Sequence, residues 1–586
     1  MEPAAGDTAA PEGSISSDFG ATHDWRGQPR VVSSQQGVVA ADHGRCSDAG
    51  AAVLHAGGSA VDAAIAAALC QGVANPMASG VGGGHFMLIR LPNGTAECID
   101  AREPAPAAAN ETMYVGRRDA SVNGGLAVAV PLELRGFWVA HQRHGRLPWA
   151  RLLQPAIEMA EHGFPAHPYL VASLSGEEQV AQLLKWPAIR DTFLIKQGGK
   201  WRAPRVNETC CKRPKLAALL KDVAAEGPDV LYAGRHAAPL VADIQGAGGI
   251  ITAADLAAAQ PIIRQPIRQR VWGLEFIGAP PPSSAVAVLA ALQILAGFDE
   301  PLAGSGSLGL HRSVEAMKHG FALRMNLGDP GPNLLRPFVN LTTILSSLSN
   351  PEFISSLRAA IRDNCTLPLD TYGGAFNVTA AGLHPEDHGT SHLSVVDADR
   401  MAVSLTTTVN TGFGSKVLSQ STGILLNNQM DDFSTPGAPN IYGIPPSRAN
   451  FIRPGKRPMS SMSPLIAERH GEFVLAVGGS GGPRIISAVL QAVTRLVAGG
   501  ESLFSAVASL RLHHQLAPDA LYAEDWNATN VAFKYDAGTA AKLTVRGHNV
   551  SSTAWGAIVQ AVLADPDSGT LHGVSDPRKD GAPAAG

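Results

Sequence analysis

Residues 385–397 read PEDHGTSHLSVVD. Pro385 to His388 and Gly389 are polar or turn-forming and predict a loop. From Ser391 to Val396 polar and apolar residues alternate, which predicts a half-buried strand. Thr390 therefore opens a strand directly out of a loop, a position that exposes a side chain or a peptide bond. MAVSLTTTVN, 401–410, follows after only Ala398, Asp399 and Arg400, so the two runs predict a hairpin.

Further along, residues 473–499 (FVLAVGGSGGPRIISAVLQAVTRLVAG) predict a buried strand, a glycine turn and a helix. Upstream, QGVVAAD at 36–42 predicts a short strand. Two helices then follow, with Ser47 and Ser59 as N-caps and Pro76 as terminator. ASGVGGGHFMLIR, 78–90, runs a glycine-rich turn into a strand, and TAECIDAR follows after the turn PNG. The turn lacks the Gly-Lys-Ser/Thr of a phosphate loop, so its glycines are read as close-packing positions. Residues 130–330 read as mainly helical and 331–389 as an exposed segment. Residues 1–34 read as a flexible tail. Strands clustered in two regions, with helices elsewhere, predict an α+β layered sandwich.

Composition narrows the function. Of 586 residues 45% are hydrophobic and only 5% aromatic, which allows a large, Ala-rich core. The net charge is -4 and no basic block occurs, which argues against nucleic acid as a partner. No apolar run reaches the roughly 18–20 residues of a membrane helix. Six cysteines (Cys46, Cys70, Cys98, Cys210, Cys211 and Cys365) are too few for a disulfide scaffold and lack zinc spacing, so no metal or cofactor is expected. A bridge between Cys46 and Cys70 is plausible, whereas neighbours such as Cys210 and Cys211 rarely bond. Asn93, Asn110, Asn207, Asn340, Asn364, Asn377, Asn527 and Asn549 each begin an N-x-S/T. Their number exceeds chance and points to the secretory pathway, an extracellular or cell-surface location, with the signal or anchor outside this chain.

A threonine hydroxyl attacks only once something takes its proton. His392 shares a strand face with Thr390, but a structural histidine is the commoner outcome there. The alternative base is the threonine's own α-amine, whose ordinary pKa lies near 7.7–8.0. That amine exists only if the bond between Gly389 and Thr390 is cut. The same hydroxyl can cut it by attacking the Gly389 carbonyl.

Seven motifs stand in order: GVGGGHFMLIR, IDAREPAP, AVAVPLELRGFWVAHQRHGRLPWA, GTSHLSVVD, GILLNNQMDDFS, RPMSSMSP and GGSGGPRI. Together they resemble the γ-glutamyltransferase family of the N-terminal-nucleophile hydrolase superfamily, from about residue 36 to SDPRK at 575–579. The resemblance implies a four-layer αββα sandwich. It implies self-cleavage into a large chain, 35–389, and a small catalytic chain, 390–586, which stay together. It also implies γ-glutamyl transfer from glutathione and its conjugates to water, amino acids or dipeptides, without a cofactor. Thr390 matches the nucleophile and Thr408 the threonine that positions it. Arg102 matches the grip on the donor α-carboxylate, assisted by Ser460 and Ser461, which suits the bidentate bonding of guanidinium to carboxylate. Asn410, Gln429 and Asp432 match the group around the α-ammonium. Gly481 and Gly482 match the oxyanion hole, and a glycine turn before a helix aims N–H groups at negative charge. Cys46 and Cys70 match the family's first disulfide, and Tyr442 matches a lid residue.

Departures remain. Gln429 and Tyr442 resemble bacterial members, whereas IPPSRANFIRPGKRP at 444–458 resembles animal ones. The second cysteine pair of animal members is missing at 186–196, and GDPGPNLL at 328–335 leaves the family pattern. Two rival readings are a related amidase or acylase with the same nucleophile and a non-catalytic glycosylated homologue. An intact amino-acid cradle at Arg102, Ser460, Ser461 and Asp432 argues against the first. Retention of Thr390 and the paired glycines argues against the second.

Overall fold

The computed structural model describes residues 22–298, 306–333, 335–376, 389–438, 446–528 and 531–586. Tyr442, Asn377 and residues 385–388 of the opening loop lie outside this set.

Two seven-stranded sheets form the middle of the molecule. The first runs Ala584–Ala585, Gly37–Ala41, Gly389–Asp397, Ala402–Asn410, Gly84–Arg90, Ala96–Ala101 and Ile262–Arg264, antiparallel throughout. The second runs Val31–Ser34, Leu571–Ser575, Ile558–Ala564, Glu472–Ser480, Leu465–Arg469, Leu274–Gly278 and Ile267–Val271, also antiparallel. Val38, Phe86, Leu88, Ile277, Val396, Ile466 and Val562 pack between the two sheets. The helices Gly44–His55, Ala60–Ala74, Trp149–His162 and Pro214–Glu226 share a core with the outer face of the first sheet. Ala285–Leu295 and Arg484–Val493 cover the second. The architecture is thus an αββα sandwich, the α+β layering that the strand and helix patterns predict.

The central hairpin forms for local reasons. The Asp397 carboxylate accepts the N–H groups of Asp399 and Met401, both at 3.0 Å, and closes the turn. Leu393 and Val395 face the helices. Thr390, His392, Ser394 and Val396 alternate with them and face the second sheet. The expectation of a half-buried strand is corrected here, because both faces of Gly389–Asp397 are buried. The polar row meets another sheet rather than water. Gly478 makes room for it, since a Cβ there would stand 2.3 Å from the His392 ring. The glycine-rich turn is also a close-packing device: a Cβ on Gly83 would lie 1.9 Å from the Thr408 carbonyl oxygen.

Other expectations need correction. Val31–Ser34 is a strand paired with Leu571–Ser575, so residues 22–34 are no flexible tail. Ser47 lies inside the first helix, which starts at Gly44 with His43 as its cap, whereas Ser59 caps the second through a capping box with Asp62. Within the stretch read as mainly helical, Ile267–Val271 and Leu274–Gly278 form a hairpin. Its two-residue turn holds Trp272 and Gly273 at φ 49° and 74°, the primed geometry that matches strand twist. The stretch read as exposed contains two helices, Thr342–Leu348 and Pro351–Ala360, which bury Ile344, Leu348, Ile354 and Leu357.

Candidate active site

The hairpin register sets Thr390 opposite Thr408, His392 opposite Thr406 and Ser394 opposite Ser404. At the bond before Thr390 it slips: Gly389 faces Asn410, which leaves Val409 as the extra residue of a bulge. Asn410 takes φ 79°. Gly389 is required here, because a Cβ would lie 2.0 Å from the Asn410 carbonyl oxygen. Thr408 Oγ1 donates to the Gly389 carbonyl at 2.6 Å and accepts from the Asn410 N–H at 2.9 Å. Its one proton is thereby used. In the 3.1 Å contact between the two hydroxyls, Thr390 Oγ1 must therefore be the donor. A directed chain results, from the Thr390 hydroxyl through Thr408 to the carbonyl that precedes Thr390. Thr390 is only 7% exposed.

His392 has no recorded contact with Thr390. Its ring bonds to the Thr406 and Ser394 hydroxyls at 2.8 and 3.2 Å. Burial pushes its pKa down to about 3, so it stays neutral. It is a structural histidine of the inter-sheet layer.

A cleft of about 610 Å³ opens over Thr390 and Thr408. Its wall includes Arg102, Asn410, Gln429, Asp432, Ser460, Ser461 and Gly482, so nine of the sequence-derived residues meet in one place. Arg102 leaves the strand Ala96–Ala101, and its N–H is held by Asp100 at 2.9 Å. Asp100 is itself clamped by Arg264 and Arg457, at 2.6 and 2.8 Å. The Arg102 guanidinium donates to the carbonyls of Pro458 and Met459 and forms an ion pair with Asp432. Burial raises the Asp432 pKa above its ordinary value, and Arg102 opposes that rise. Gln429 donates to Asp432 at 3.3 Å from the same short helical turn. The Asn410 side-chain amide donates to the Asn428 carbonyl at 3.0 Å.

Arg324 and Asn450, also in this wall, were not foreseen. Arg324, at the end of the helix Gly306–Arg324, donates to Ser284 at 2.8 Å and to Ser461 at 3.2 Å. Ser284 in turn donates to the Ser460 carbonyl. Asn450 donates to the Asp432 carbonyl at 2.7 Å and accepts from the Met459 N–H at 2.9 Å. An arginine within the apolar run FALRM was the one signal for Arg324. Asn450 had none, because its role comes from a fold-back of the chain.

Gly481 and Gly482 follow the strand Glu472–Ser480 and precede the helix Arg484–Val493. Their φ angles are 123° and 56°. Among the described residues neither N–H has a recorded acceptor. Two unpaired donors at a helix entrance, with Gly482 lining the cleft, suit a developing oxyanion.

One described cluster has metal-ligand chemistry. Donor atoms of His311, Glu315 and His548 lie within 4.8 Å of one another. Protein partners already engage all three. His311 bonds to His548 and to the Arg362 carbonyl, each at 2.7 Å. Glu315 is held by Lys318 at 3.0 Å and Tyr372 at 2.6 Å. The Lys318 ammonium opposes a dication there. Cys46 and Cys70 form a disulfide, and Cys98, Cys210, Cys211 and Cys365 are free thiols.

Two stacked sheets between helical layers, with a threonine at the start of a central strand, define a sandwich of the N-terminal-nucleophile hydrolase type. The crystal structure of cephalosporin acylase from Bacillus halodurans has this form. It matches with a TM-score of 0.79 and 26% identity, over 95% of this chain and 97% of that one. Residues 46–586 match the gamma-glutamyltranspeptidase family, and the chain belongs to that family of enzymes. Glutathione hydrolase 3 of Arabidopsis thaliana is 42% identical over 583 residues, covering 95% of this chain and 88% of that protein. Glutathione hydrolase proenzyme 1 of Schizosaccharomyces pombe is 38% identical over 567 residues, covering 95% and 85%.

Proposed function

We propose that the chain cleaves itself between Gly389 and Thr390 and then acts as a γ-glutamyltransferase and glutathione hydrolase. Thr390 Oγ attacks the Gly389 carbonyl carbon. The C–N bond breaks, the Thr390 nitrogen becomes an amine, and water hydrolyses the ester to leave Gly389 as a carboxylate. Thr408 polarises that carbonyl through its 2.6 Å hydrogen bond. The large chain then ends at Gly389 and the small chain runs 390–586. Both contribute neighbouring strands to the two sheets, which supports their staying together.

In turnover the donor α-carboxylate docks on Arg102, assisted by Ser460 and Ser461. Its α-ammonium docks on Asp432 with Gln429 and Asn410. Thr390 Oγ attacks the γ-carbonyl while the Thr390 amine takes the hydroxyl proton, and the N–H groups of Gly481 and Gly482 receive the oxyanion. The leaving amine, cysteinylglycine for glutathione, departs with that proton. Water or an amino acid or dipeptide amine then attacks the γ-glutamyl ester and regenerates the hydroxyl.

The observation that carries this reading is the hydroxyl chain from Thr390 to the Gly389 carbonyl, opening into the same cleft as the Arg102–Asp432 pair. That pair suits a zwitterionic amino acid better than the plain acyl group of an acylase. The test is amino-terminal sequencing of the smaller band on a denaturing gel, followed by a γ-glutamyl anilide assay. A sequence beginning Thr-Ser-His-Leu-Ser and release of the aniline are expected. A processed protein that cleaves a glutaryl anilide as readily would overturn the substrate assignment.

Among the described residues no helix is long and apolar enough to cross a membrane. Seven sequon asparagines, all but Asn377, are described, and each is exposed. Their exposure supports an extracellular or cell-surface location, which a glycosidase-induced shift on a gel would check.

A further inference from the structure

The run SDPRK ends against the nucleophile strand. The Lys579 side chain is 1% exposed. Its Nζ donates to Asp42 at 2.6 Å and to the Thr390 carbonyl at 3.2 Å, and it stands 4.7 Å from the Tyr169 ring centroid. Asp42 also accepts from the Ser480 hydroxyl at 3.1 Å, the Gln560 amide at 2.8 Å and the His392 N–H at 3.3 Å. The anion that pairs Lys579 is thus bonded to both sheets. Burial works against the ammonium, but Asp42, Tyr169 and Asp580 together outweigh it, and the Lys579 pKa lies above its ordinary value. The mechanism above leaves this buried cation unused.

We propose that Lys579 is a positioning residue for Thr390, which holds its carbonyl after scission and keeps the new α-amine in its neutral, proton-accepting form. This rests on the reading that Thr390 becomes an amino terminus. Cutting the bond to Gly389 turns the start of a strand into a chain end, and chain ends fray. Lys579 pins that end through the Thr390 carbonyl. Its charge acts as well. Covalent geometry keeps an amine within about 4 Å of the carbonyl oxygen of its own residue, so Lys579 is a near neighbour of the amine. A second positive charge beside an ammonium is disfavoured.

The other charges around the amine do not reproduce this effect. On the cleft side Arg102 is paired with Asp432, and Arg324 donates to Ser284 and Ser461. On its own strand His392 is neutral. Behind the strand stand Asp42, Tyr169, and Asp580 paired with His167. Asp42 offsets part of the Lys579 charge, yet its bond to this strand is at His392, two residues from the amine.

The test is the pH dependence of kcat/KM on a γ-glutamyl anilide for the parent enzyme and for K579M, K579Q and K579R. In the parent the acidic limb is expected below the ordinary α-amine range of about 7.7–8.0. In K579M and K579Q it moves up by about one pH unit, with donor KM little changed, because the neighbouring charge is gone. K579R restores the parent limb. K579Q keeps an N–H donor, so it serves if K579M fails to mature. If both fail, the parent limb decides alone. A parent limb at or above 8, or processed K579M and K579Q with an unmoved limb, would overturn the assignment. A parent whose small chain does not begin at Thr390 overturns the processing reading and this one with it.

Discussion

The two walls of the cleft are built by opposite means. The wall that carries the proposed nucleophile is one hairpin: Thr390 and Thr408 are 18 residues apart and face each other by strand register. The wall proposed to bind the donor draws Arg102, Asp432, Ser460 and Ser461 from three distant segments, with Arg102 and Asp432 330 residues apart. Hydrogen bonds and ion pairs hold it together rather than a ladder. A regular pair of strands fixes its side chains to fractions of an ångström with little reorganisation, which suits bond-making groups. The loop-built wall holds two opposite charges against each other, and in the proposed function a zwitterion replaces each partner. A ligand lacking either charge would leave a buried ion unpaired, a heavy penalty in such a site.

The sharpest way to break this comparison is Thr390→Ala. One uncleaved chain without activity is expected on a denaturing gel, and two bands would refute the processing role. Next comes Arg102→Gln. Donor KM should rise on the order of 10²-fold or more, the cost of leaving a charged group unpaired, while cleavage proceeds. An unchanged KM would remove Arg102 from the donor wall. Thr408→Val keeps the shape and removes the relay hydroxyl. Maturation should slow roughly 10- to 100-fold, read as the rate at which the small band appears. Normal maturation would leave Thr408 a packing residue.

The smallest effect concerns two buried histidines of the first sheet, His392 on the face toward the second sheet and His85 on the helix face against Phe137. Burial holds His85 and His392 at about 3, against 6.5 for the unfolded chain. Above pH 6.5 both states are neutral and the full stability is present. As pH falls toward 3 the unfolded chain binds protons first, so stability is lost across that window. A melting temperature that falls from pH 6.5 to pH 4, less steeply in His392→Gln, is expected. An equal slope would mean that His392 is protonated in the folded protein.

Much of the nucleophile wall was legible in the sequence, because a turn of three residues forces two alternating segments to pair and brings Thr390 near Thr408. The paired glycines were legible for a similar reason, since a strand, a glycine turn and a helix follow one another in the chain. The strands at 267–278 were missed because Trp272 stands where the turn demands φ near 49°, a conformation rarely taken by such a residue. Arg324 and Asn450 were missed because their partners, Ser461 and Asp432, are brought to them by the fold alone.

By itself the sequence determined the local pieces: a threonine opening a strand, its hairpin partner, the glycine turn and an ordered set of motifs. Those depend on period, caps and turn residues, which act over a few positions. Only the tertiary structure decided that the polar face of the hairpin meets a second sheet instead of water. It also decided that Arg102 pairs with Asp432, and that Lys579 is set against Thr390. Those facts rest on burial and charge pairing between residues hundreds of positions apart, and no local pattern encodes them.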